Sequence, residues 1–111
     1  MQYRLHETRE ASEDVERLAG YIARKFSNLD AALNFLDKYD EEVQRLTNFP
    51  FGYRGVSFEY RGYEIRIKSF GTYNVFFTVD IAEKQVFALR VLKDRQAWKT
   101  ILENQDEYHF E

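Results

Sequence analysis

Between Tyr63 and Leu92, three short segments alternate apolar and polar residues with period two. The first sets Tyr63, Ile65 and Ile67 against Glu64, Arg66 and Lys68. The second sets Tyr73, Val75, Phe77 and Val79 against Asn74, Phe76 and Thr78, and the third sets Phe87, Leu89 and Val91 against Val86, Ala88 and Arg90. Successive side chains of a strand leave on opposite faces. The pattern therefore predicts an antiparallel sheet with one apolar face and a second face bearing Arg66, Lys68 and Arg90.

Upstream the repeat becomes helical. Val15, Leu18, Ala19, Ile22, Ala23 and Phe26 form one apolar stripe, with Ser12 placed as N-cap, Glu13 and Asp14 in the first turn, and Arg24 and Lys25 near the end. Ser27-Asn28-Leu29-Asp30 reads as the capping-box start of a second helix, whose stripe is Leu29, Ala32, Leu33, Leu36, Tyr39, Val43 and Leu46. Asn48-Phe49-Pro50 ends it, because the residue before proline disfavours the α region. So short a connection predicts an antiparallel helical hairpin.

Residues 2–6 alternate weakly and predict a first strand, and Val56–Tyr60 predicts a further edge strand. Asp94 is placed as the cap of a short last helix that docks through Ala97, Trp98, Ile101 and Leu102. The order is β-αα-βββ-α over a single domain, residues 1–111. This is an α+β fold with the hairpin packed on one face of a small, mainly antiparallel sheet and the other face open.

Composition removes several kinds of chemistry. With no Cys and only His6 and His109, at the two ends, neither a cysteine site nor a His cluster for a metal is expected, and no cofactor is expected. Phosphate-cradling glycine loops and a G-x-S-x-G elbow are absent. No apolar run approaches membrane-spanning length and the N-terminus lacks an apolar leader, so a cytoplasmic protein without membrane contact is expected.

The net charge of −3 argues against a polyanionic partner, but its distribution is uneven. Glu7–Asn48 holds ten acids against six bases, whereas Tyr53–Lys99 holds nine bases against five acids. Arg66 and Lys68, two apart on one strand, would share a face with Arg90, and Lys93 and Arg95 flank the start of the last helix. Such a cluster could hold a phosphodiester and stabilise its transition state. Phe76, or a tyrosine such as Tyr53 or Tyr60, could stack on a base. The same residues read equally as an ordinary solvated face.

These segments resemble the RelE/ParE toxins of type II toxin–antitoxin modules. The resemblance rests on Leu46-Thr-Asn-Phe-Pro50, Gly62-Tyr-Glu-Ile-Arg66, Tyr73-Asn-Val-Phe-Phe-Thr-Val-Asp80, Phe87-Ala-Leu-Arg-Val-Leu-Lys-Asp-Arg95, Trp98 and Ile101-Leu102. It implies a microRNase-like α+β fold and a growth-inhibiting toxin held in a hetero-oligomer by a cognate antitoxin. In the RelE branch it implies metal-independent cleavage of mRNA on the ribosome, with Arg66, Lys68 and Arg90 as catalytic residues and Arg61, Asn74, Phe76, Lys93 and Arg95 on the RNA. Asn74 stands where several such nucleases have an arginine, and Lys93 where a histidine is common. These departures leave room for the ParE role, non-catalytic inhibition of DNA gyrase, or for a non-toxic co-repressor that only binds the antitoxin.

Overall fold

The computed structural model describes residues 2–110. In chain order it contains β1 (Arg4–Glu7), α1 (Arg9–Phe26), α2 (Leu29–Asn48), β2 (Gly55–Tyr60), β3 (Tyr63–Phe70), β4 (Tyr73–Asp80), β5 (Gln85–Lys93) and α3 (Trp98–Glu103). The strands form one sheet in the order β1-β5-β4-β3-β2. Among the described strands the β1–β5 pair alone is parallel, so the sheet is mixed but mainly antiparallel. The edge strand expected near Val56–Tyr60 is β2, broken by a register shift between Gly55 and Glu59 with Ser57 at φ 68°. Such irregularity blunts an edge against unwanted pairing.

The helices begin elsewhere than their expected caps. Thr8, not Ser12, starts α1, accepting from Ala11 N at 2.9 Å while its own hydroxyl donates to Leu89 O at 2.7 Å. The helix follows directly on β1, so Asp14 falls a turn inside it and is buried. Ser27 closes α1 in the left-handed conformation, and Asn28 caps α2 by accepting from Ala31 N at 3.2 Å. Asp94 caps nothing. It accepts from Asn74 Nδ2 at 2.7 Å, and α3 starts only at Trp98 without a side-chain cap.

Both sheet faces are apolar. The hairpin buries Leu18, Ile22, Phe35, Tyr39, Val43 and Leu46 against Phe70, Val75, Phe77, Val86 and Val91. The opposite face carries a second cluster of Tyr60, Ile65, Ile67, Phe76, Leu89 and Leu92, covered by Leu102, Trp98 and Tyr108. The expectation of one open face is therefore corrected, and register supplies the reason. Arg66 pairs with Phe77 and Lys68 with Val75, and directly opposed residues share a face. Arg66 and Lys68 thus lie on the hairpin side, while Ile65 and Ile67 point away from it. On β5 the alternation also breaks. Phe76 faces Arg90 but Phe77 faces Ala88, leaving Leu89 as the extra residue of a bulge, so Leu89 and Val91 end in different clusters.

Candidate functional site

Hairpin and sheet meet through two buried ion pairs. From β3, Lys68 Nζ donates to Glu42 Oε2 on α2 at 2.8 Å, with both side chains largely out of water. Its ammonium also lies 5.0 Å from the centre of the Tyr53 ring. Lys38 and Arg45 reach the other Glu42 oxygen, each at 3.3 Å. Burial alone would raise the Glu42 carboxyl, but the bonds from Lys68 and Lys38 outweigh it and hold the group below its ordinary value. Lys68 mirrors this: burial would lower it, yet Glu42 and Tyr53 push it above the ordinary lysine value.

The second pair joins β5 to α1. Arg90 forks Asp14, with Nε donating to Oδ2 at 2.7 Å and Nη2 to Oδ1 at 2.9 Å. Val91 N donates to Oδ2 at 2.9 Å and Arg17 Nη2 to Oδ1 at 2.6 Å, so this buried carboxylate accepts four bonds. Arg90 Nη1 reaches Gln105 Oε1 at 3.4 Å, which ties in the chain after α3. Burial would lower the Arg90 guanidinium, but its bonds to Asp14 raise it, so the charge is secure.

The other candidates are dispersed. Arg66 is partly exposed, donating through Nη1 to Tyr53 O at 2.8 Å and pairing with Glu64 at 3.2 Å. Asn74 is buried, accepting from Ser69 and donating to Asp94. Phe76 has no exposed surface and lies 5.3 Å from Trp98, so no base could stack on it in this conformation. Arg61 stacks on Tyr60 at the β2–β3 turn, Lys93 lies 5.5 Å from the Tyr21 ring, and Arg95 is exposed. Lys68 turns to α2 and Arg90 to α1. The expected accessible hollow of cations is absent from the described residues.

The sequence matches the family of the ParE toxin of the type II toxin–antitoxin system parDE over residues 6–98. The chain belongs to this family. No curated protein matches it significantly. Among solved structures, the toxin–antitoxin complex RelBE2 from Mycobacterium tuberculosis is similar at TM-score 0.53 and 22% identity, covering 84% of this chain and 99% of that one. At that identity the likeness concerns the fold. This ParE-family toxin therefore carries the α+β architecture of RelE/ParE proteins, with Lys68 and Arg90 bound to its own Glu42 and Asp14.

Asp14 and Glu42 are the site residues that sequence reasoning missed: Asp14 was placed only as a first-turn helix acid, and Glu42 was assigned no role. A signal was present. Asp14 stands four before Leu18 and Glu42 four before Leu46, so each acid lies on the apolar stripe of its helix. An acid on a core-facing stripe needs a buried cation, and the sheet offers Arg90 and Lys68.

Proposed function

We propose that this chain is the toxin of a type II toxin–antitoxin module that arrests growth in the cytoplasm by binding its target, without cleaving RNA. The observation carrying this reading is that Lys68 and Arg90 are already committed to Glu42 and Asp14, at 2.8 and 2.7 Å. For either cation to take a phosphate, a buried pair would have to break, and uncovering one partner of such a pair costs about 3–5 kcal/mol. Asn74 in place of a cation and a wholly buried Phe76 support the same reading. A cognate antitoxin is the expected neutralising partner. Family membership and its implied ParE role make DNA gyrase the first target to test.

The test pairs two assays: supercoiling by DNA gyrase with the purified toxin, and primer extension on mRNA from cells after its induction. Inhibited supercoiling with intact transcripts is expected, and Arg66→Ala should leave the inhibition in place. Transcript cleavage that disappears in a folded Arg66→Ala variant would overturn the reading in favour of a ribosome-dependent nuclease.

A further inference from the structure

Away from both ion pairs, a cavity of about 160 Å³ opens to solvent between the β2–β3 turn, the β4–β5 turn and the end of the chain. Aromatic rings form most of its wall: Tyr60, Tyr63, Phe87 and Phe110, with Phe110 edge-on to Phe87 at 5.4 Å. Thr78 and two charged groups complete it. Arg61 lies 5.2 Å from the Tyr60 ring centre and, among the described residues, makes one ion pair, a long 3.8 Å contact to Glu107. Asp80 accepts from Tyr63 Oη at 3.2 Å and from Glu83 N at 3.1 Å. An ionised carboxylate offers about four acceptor positions, so Asp80 retains capacity.

Size, lining and charge select the occupant. An apolar cavity of about 150 Å³ admits one benzene ring. A purely apolar ring would strip water from Asp80 and return nothing, whereas a ring carrying a hydroxyl would donate to it. A cationic side chain drawn to Asp80 would also lie beside Arg61, so the two charges largely cancel for it, whereas a neutral hydroxyl meets no such opposition. Arg61 can instead cover the outer face of a neutral ring, as it already covers Tyr60. Tyr63, Phe110 and Ile81, next to Asp80, are exposed apolar groups at or beside the mouth, as suits a protein surface more than a free metabolite. We propose that this cavity receives a tyrosine side chain presented by a partner protein, its hydroxyl donating to Asp80 and its ring lying under Arg61. The assignment is independent of how the toxin stops growth.

Amide correlation spectra of the full-length chain, titrated with p-cresol, toluene and N-acetyltyrosine N-methylamide, test it. Saturable shifts at Arg61, Tyr63, Asp80 and Phe87 are expected, with p-cresol binding about fivefold tighter than toluene. Asp80→Asn retains the acceptor for Glu83 N, so the turn persists, while loss of the charged acceptor narrows the preference for p-cresol. Phe110→Ala should weaken all three probes about tenfold, and because Phe110 is 40% exposed and its pairing with Thr8 uses backbone alone, the domain should stay folded. Absence of saturable shifts, equal binding of toluene, or indifference to Phe110→Ala overturns the proposal. So does tighter binding of tetramethylammonium, which would mark a cation site. Binding of p-cresol with exclusion of the tyrosine amide would mark a site for small phenols and overturn the partner assignment.

Discussion

Asp14→Ala removes the acceptor of four hydrogen bonds at one point of the hairpin–sheet junction. The Arg17 bond counts least, because that side chain is half exposed and regains water. Arg90 is different. With 14% of its side chain exposed, it would be left as a buried charge without a counter-ion, a loss of about 3–5 kcal/mol. Orphaning Val91 N contributes to the same loss and is not added separately. Against the 5–15 kcal/mol typical of a domain, this is a large fraction, equivalent to a melting-temperature fall of about 12–20 °C. Urea unfolding followed by circular dichroism at neutral pH measures it directly. Adding Arg90→Met should recover at least half of the loss, since an apolar replacement leaves no buried charge uncompensated. A cost for Asp14→Ala below about 1 kcal/mol would refute the view that this pair organises the junction, as would a double variant no better than the single one.

Stability should have two pH limits set by the Glu42–Lys68 pair. The Glu42 carboxyl is held below its ordinary 4.5, so its contribution is present above that pH and disappears as pH falls through the lower folded value. Lys68 is raised above its ordinary 10.5, so its contribution is full below that pH and disappears as pH rises through the higher folded value. Glu42→Gln should flatten the acid limb in denaturant titrations, and an unchanged acid limb would show that other carboxylates set it. Thr8→Val removes the α1 cap and the donor to Leu89 O, and should cost about 2 kcal/mol by urea unfolding. Thr8→Ser should restore most of that, and a loss under about 0.5 kcal/mol would refute the double role of the hydroxyl.

Local periodicity carried the helices and strands. The stripes through Leu18 and Leu46 and the alternation from Tyr63 to Val79 each follow from one backbone geometry repeating over neighbouring residues, so they are legible without partners. The connection at Ser27-Asn28 and the stop at Pro50 are equally local. What a strand pattern cannot show is which of its two faces meets the helices, because alternation is symmetric between them. Pairing decided it: Arg66 opposite Phe77 and Lys68 opposite Val75 turned these cations toward the hairpin, and one extra residue at Leu89 reversed the phase of β5. Asp14 and Arg90, 76 residues apart in the chain, became one buried pair only when α1 settled on β5. The residues alone determined that this chain makes a helical hairpin and a β-layer with cations along it. Tertiary structure alone decided that those cations are neutralised from within, since Coulomb attraction falls with distance in space and takes no account of separation along the chain.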